Sequence, residues 1–366
     1  MTLSREEIVG QLLIVGMPSD RWCGALERFL LATQPAGVLL SPPLPPSAEA
    51  TSELLHRIAG TVRELPFLAI RQEGGPEDPL RQFLPSLPSP RAAAQKGLST
   101  VARLGELIGE GLSLLGFNTN FAPLLDLATP LSQERLGGRA FGSDPRQVAE
   151  CGEAFLRGLR RHRILACGKH FPGWGCVPLQ PSPGRGVSGE PAVAGKPMAE
   201  LWREDLVPFR DLLSQLPMVL ISNAAYKAYD FEHPRPASLS PQVVEGLLRV
   251  KLGYRGLALA YDFEQEEMRG SLSPGEAAIQ SLNAGCDLLV LDQEASCDAV
   301  RQALEAGLES GRLSSQRVEQ ALARVRAARK ALAPPTGSVS RRALEKLAKR
   351  FESLDKEFTP EELKIA

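Results

Sequence analysis

Gly168-Lys169-His170-Phe171-Pro172-Gly173-Trp174-Gly175, running on into Cys176-Val177-Pro178-Leu179-Gln180-Pro181-Ser182, is the stretch on which the reading of this chain turns. A short apolar run, Ile164–Cys167, ends in a basic pair and then in a Pro/Gly turn. Apolar, β-prone runs of this kind recur along the sequence, at Leu12–Val15, Gly37–Leu40, Phe67–Ile70, Thr119–Ala122, Met218–Ile221, Leu257–Ala260 and Asp287–Leu291. Amphipathic stretches such as Ser52–Glu64, Val101–Leu115, Pro145–Arg161 and Pro241–Lys251 separate them. Strands covered on both faces read as unbroken apolar runs, and parallel neighbours need crossover connections, usually helices. Eight such units predict an α/β protein with a closed (β/α)8 TIM-type barrel, for which about 250 residues or more suffice. No Gly-rich dinucleotide loop or phosphate loop follows the first run, which argues against an open nucleotide-binding sheet.

In a barrel of this kind the chemistry sits just past the C-terminal ends of the strands. That directs attention to Arg71-Gln72-Glu73-Gly74-Gly75, Asp126, Lys169-His170, Asn223 and Tyr261-Asp262. The Pro-, Gly- and Ser-rich segment Pro178–Pro197 predicts a mobile loop over the barrel mouth. Residues 1–333 are assigned to the barrel and 334–366 to a Pro-rich break and a helical tail. In that tail Leu344, Leu347, Phe351 and Leu354 fall at helical spacing, for packing on the barrel or on a protein partner.

Composition narrows the functional classes. A net charge of -1 with both signs interspersed gives no electrostatic ground for nucleic acid or an anionic membrane as partner. Met1–Glu7 carries acidic residues where a secretion signal is basic, and the apolar stretch Val9–Met17 is broken by Gly10, Gln11 and Gly16. No signal and no membrane span is therefore expected. Six scattered cysteines without a CxxC pair predict reduced thiols, no metal site and, with the missing signal, a cytoplasmic location.

Seven motifs together resemble glycoside hydrolase family 3, in its single-domain β-N-acetylglucosaminidase branch. They are Arg5–Leu12, Gln72-Glu73-Gly74-Gly75, Asn120–Asp126, Arg139–Pro145, Lys169-His170-Phe171-Pro172-Gly173, Arg235–Ser240 and Ala284-Gly285-Cys286-Asp287. The resemblance implies no cofactor, and a ligand that is an N-acetylglucosamine-containing sugar or cell-wall fragment. It implies sugar-holding roles for Lys169, His170, Arg139 and Arg81. Converging ammonium, guanidinium and imidazole donors suit a polyhydroxylated ring. A second reading has Lys169 and His170 pairing with Asp126 or Glu134 to satisfy the barrel end.

At the positions that carry the family's chemistry this sequence departs from the pattern. Retaining hydrolysis uses a carboxylate nucleophile and a separate proton donor. Tyr261 stands at the nucleophile position and Asp262 one residue beyond, which on an ideal strand faces the other way. Gln180 and Ser182 stand where the branch has an Asp–His acid/base dyad, and neither delivers a proton as imidazole does. Trp174 and Asn223 replace histidines, and Arg71 replaces the Asp that opens the Gln-Glu-Gly-Gly turn. Losing one acid/base group costs about 10²–10⁴-fold. A hydrolytically inactive sugar-binding or interaction protein is therefore expected. The alternative is an active β-N-acetylhexosaminidase-like glycosidase with relocated groups, drawn from Tyr261, Asp262, Glu73, Glu134, Glu190 and Glu264.

Overall fold

The computed structural model describes residues 4–17, 20–178, 191–261, 265, 271–292 and 294–359. Eight parallel strands close a barrel: β1 (Leu13–Gly16), β2 (Gly37–Leu40), β3 (Phe67–Ile70), β4 (Thr119–Asn120), β5 (Leu165–Phe171), β7 (Met218–Ile221), β9 (Leu257–Tyr261) and β10 (Leu288–Leu291), while β6 (Val193–Ala194) and β8 (Ala225–Tyr226) pair with each other outside it. Their order around the barrel is β1-β10-β9-β7-β5-β4-β3-β2, so every strand lies beside its neighbour in the chain. Each of these runs is buried almost throughout, which is why they lack the in/out polar alternation of a solvated sheet.

Period-two geometry divides each strand between two apolar layers. Along β9, Leu257, Leu259 and Tyr261 belong to the barrel interior, with Ile14, Leu39, Phe67, Phe121, Met218 and Val290. Ala258 and Ala260 face the helices instead. Between the helices Leu98–Leu115 and Pro145–Arg161 the approach is so close that a Cβ on Gly158 would lie 2.2 Å from the Glu106 nitrogen. Pro145–Arg161 starts where the sequence places it, with Asp144 accepting from the Gln147 nitrogen at 2.8 Å and proline in the first turn.

The bottom of the barrel is closed by Asp287, fully buried, just before β10. Its carboxylate takes donors from Arg249 (2.5 Å), Arg317 (2.8 Å), Arg324 (2.9 Å) and the Ala258 nitrogen (3.1 Å). Charges buried this deeply persist only when paired and hydrogen-bonded.

The tail takes the first of its two expected placements. Helix Arg341–Asp355 buries Leu347, Phe351 and Leu354, and Leu347 reaches the face of Gly111 on the helix Leu98–Leu115. Arg350 pairs with Glu110 and Glu106, and Arg103 with Glu357 at 2.8 Å. His56 Nδ1 lies 3.4 Å from the carbonyl of Pro335, in the break that leads into the tail.

Two boundaries differ from expectation. Strand β5 continues through Lys169 and His170 to Phe171, because these polar side chains find buried partners in Glu73 and Asp126 inside the barrel end. The expected mouth loop Pro178–Pro197 lies outside the described residues over 179–190, and Val193–Ala194 pairs in parallel with Ala225–Tyr226. All six cysteines are free, five of them buried.

Candidate functional site

Three side-chain networks meet at the C-terminal ends of the strands. The deepest is built on Glu73, in the turn after β3. Gln72 holds that turn by donating from its backbone to Asn120 Oδ1 (2.9 Å) and by accepting from the Leu80 nitrogen (3.0 Å). Gly74, at φ +97°, passes the Pro88 carbonyl so closely that a Cβ would sit 2.6 Å from its oxygen. Glu73 Oε1 receives Lys169 Nζ at 2.5 Å, and Arg139 donates from Nε (2.9 Å) and Nη2 (2.8 Å) to the two oxygens. The side chains are 1% exposed for Glu73, 3% for Lys169 and 17% for Arg139.

Burial alone would raise the Glu73 carboxyl, but Lys169 and Arg139 override it and hold it at about 2. Burial, with Arg139 and Arg71 nearby, pulls the Lys169 ammonium down against the attraction of Glu73. Glu73 is thus held as the counter-ion of two cations, which disfavours a proton-donor role near neutral pH.

The second network is centred on Asp126. Its Oδ1 accepts from the backbone nitrogens of His170 (3.1 Å) and Trp174 (2.7 Å), and its Oδ2 faces His170 Nδ1 at 2.7 Å. Burial lowers the His170 pKa although Asp126 opposes it, so the ring is neutral. With Nδ1–H donated to a carboxylate, Nε2 is left as the acceptor. The imidazole meets the Trp174 indole edge-on (centroids 4.8 Å apart) and stacks on Tyr261 (5.9 Å, interplanar 26°). Arg135 lies 4.0 Å over the same indole and donates to the carbonyls of Trp174 (2.8 Å) and Val177 (2.9 Å). Tyr226 donates to the Gly173 carbonyl at 2.7 Å, which pins the turn from below.

The third network crosses the mouth. Arg71 follows β3 directly and Asp292 follows β10, and Arg71 Nη2 donates to both Asp292 oxygens, at 3.1 and 3.0 Å. Strands β2 and β1 lie between them, so this pair spans an arc of the rim. Beside it, Asn223 Nδ2 donates to the Tyr261 carbonyl (3.0 Å) and its oxygen accepts from Ser238 (3.1 Å).

Of the expected site residues, the structure gathers Lys169, His170, Arg139, Trp174, Tyr261, Asn223 and Arg71 at this end of the barrel. Lys169 pairs with Glu73, not with Asp126 or Glu134, whereas His170 does pair with Asp126. Arg81 stands apart. It is exposed on the turn Pro79–Gln82, and no hydrogen bond or ion pair joins it to the cluster among the described residues. Gln180, Ser182, Asp262, Glu190 and Glu264 lie outside the described residues. Arg135 and Asp292 were not legible in advance, because each acts through a partner remote in sequence. No helix among the described residues is long and apolar enough to cross a membrane.

A closed parallel barrel with buried ion pairs and aromatic rings crowded at one rim defines the class: a TIM-type barrel with a cluster of charged and aromatic side chains at the C-terminal ends of its strands. The chain belongs to glycosyl hydrolase family 3, whose "Glycosyl hydrolase family 3 N terminal domain" matches residues 5–328. It is 34% identical over 246 residues to a β-hexosaminidase of Pseudomonas aeruginosa, covering 65% of this chain and 70% of the relative. To the β-hexosaminidase LpqI of Mycobacterium tuberculosis it is 30% identical over 267 residues, covering 70% and 66%. Among solved structures it resembles a family 3 β-N-acetylglucosaminidase from Paenibacillus sp. (TM-score 0.83, 26% identity, 96% of this chain and 69% of that one). A family 3 glycosyl hydrolase of Mycobacterium smegmatis is similar over 91% and 98% of the two chains (TM-score 0.79, 29% identity).

Proposed function

We propose that this barrel holds an N-acetylhexosamine-containing sugar and does not hydrolyse it by the family's double-displacement route. The observation that carries the reading is the Tyr261 ring, which points into the barrel from the end of β9 and stacks on His170. In the family motif that position belongs to the nucleophilic Asp, and a phenol there has no carboxylate to form a glycosyl intermediate. Glu73, a candidate for a relocated acid, is ionised and paired twice. Gln180 and Ser182, in place of the acid/base dyad, remove the usual proton donor as well. The names of the relatives, β-hexosaminidases, supply the sugar class.

Binding falls to the rim. Arg139 and Arg71 offer guanidinium donors, and Trp174 and Tyr261 offer aromatic faces for the apolar side of a sugar ring. Lys169 and His170, buried behind them, hold Glu73 and Asp126 in place. Calorimetric titration with N-acetylglucosamine tests this: heat of binding that disappears in Arg139→Ala supports it. Absence of binding by the wild-type protein defeats it. The alternative, an active glycosidase using Asp262, predicts turnover that is abolished by Asp262→Asn.

A further inference from the structure

The geometry points to Arg71 as a specificity residue for an acidic sugar: the ligand of this barrel is an N-acetylhexosamine that carries a carboxylate. The inference rests on the sugar-binding reading above and adds the substituent. Three cations, Lys169, Arg139 and Arg71, stand around the tops of β3 and β5: Arg71 directly follows β3, and Lys169 and Arg139 share the carboxylate of Glu73 two residues further on. Glu73 neutralises two of them and is sealed in, with both oxygens engaged. The third, Arg71, has its counter-ion at the rim, where its own side chain is 28% exposed and that of Asp292 is 36% exposed.

The two arginines are also held differently. Arg139 meets Glu73 fork to fork, through Nε and Nη2 to separate oxygens. Among the described residues Arg71 meets Asp292 through one nitrogen, Nη2, while Nη1 reaches Ser41 Oγ at 3.4 Å. Guanidinium–carboxylate pairs gain most when two parallel N–H groups are used. A partly exposed, single-nitrogen pair is therefore replaceable by a carboxylate that approaches the side of the fork Asp292 does not use. Asp292 then acts as an internal stand-in for the ligand's acid group and competes with it.

Opposite effects from the two halves of one ion pair follow, which a purely structural bridge does not give. Calorimetric titration with N-acetylglucosamine and with its 6-carboxylate, N-acetylglucosaminuronic acid, reads this directly. Wild-type protein is expected to bind the acid about tenfold more tightly, the equivalent of one charge-assisted hydrogen bond. Arg71→Gln is expected to erase that preference, and Asp292→Asn to enlarge it. Arg71→Lys, which keeps the charge but loses the fork, should fall between, and thermal melts verify that each variant is folded. Equal affinity for both sugars, or a shift in the same direction for Arg71→Gln and Asp292→Asn, overturns the inference and leaves the sugar-binding reading standing. Binding of neither sugar by wild-type protein overturns both.

Discussion

Lys169 Nζ lies 2.5 Å from Glu73 Oε1, two charges from the tops of β5 and β3 locked together with almost no contact with solvent. Arg139 completes the group, so one carboxylate answers two cations. Removing it strands both. Glu73→Gln is expected to destabilise the fold by about 3–5 kcal/mol, the usual cost of an uncompensated buried charge. Urea unfolding measures this, and a loss below about 1 kcal/mol would contradict the pairing as described.

The same carboxylate sets an acid limit. Its folded pKa, about 2, lies below the ordinary 4.5, so its contribution is complete above pH 4.5 and is lost as pH falls toward 2. The stability-versus-pH curve of the wild-type protein should therefore fall through that window more steeply than that of Glu73→Gln. Parallel curves would count against it.

His170 acts one window higher. Burial lowers its folded pKa below the ordinary 6.5, so the unfolded chain binds this proton more readily. Stability from this group is present above pH 6.5 and declines as pH falls through the lowered value. His170→Gln should flatten the profile there, and an NMR titration placing the imidazole pKa above 6.5 would refute the assignment.

Tyr261 supports a gain-of-function test. An aryl glycoside with a very acidic phenol needs no protonation on leaving, so the proposed lack of a proton donor matters least for it. Tyr261→Asp is expected to release dinitrophenol from a dinitrophenyl β-N-acetylglucosaminide faster than the wild type. No increase would count against the proposal that Tyr261 stands in place of the nucleophile.

The tail helix belongs to the stability of the barrel. Phe351 is fully buried against it, and Phe351→Ala is expected to cost about 3–5 kcal/mol. Unchanged thermal melting in that variant would contradict the packing.

Much of this architecture is legible in the sequence because doubly covered strands leave unbroken apolar runs. Gly37–Leu40, Phe67–Ile70 and Met218–Ile221 have the same limits in the structure as in the sequence reading. The run at Ile164–Cys167 reads as ending too soon, because Lys169 and His170 carry charge and a ring nitrogen whose partners, Glu73 and Asp126, come from other strands. The rim is harder still. Arg71 reads as a lone cation in place of an acid, and nothing local connects it with Asp292, 221 residues away. Arg135 likewise reads as a surface residue of a short helix until the turn at Trp174 folds over it. Local periodicity carries the scaffold, whereas the cluster at its rim is made of long-range pairs.

The most direct measurement of the central claim is chromophore release from an aryl β-N-acetylglucosaminide by the wild-type protein at high concentration, from about pH 4 to about pH 8. The account predicts no release above the uncatalysed rate, alongside measurable binding of the free sugar. Turnover that scales with enzyme and vanishes in Asp262→Asn or Tyr261→Phe would contradict it and make this chain a working glycosidase.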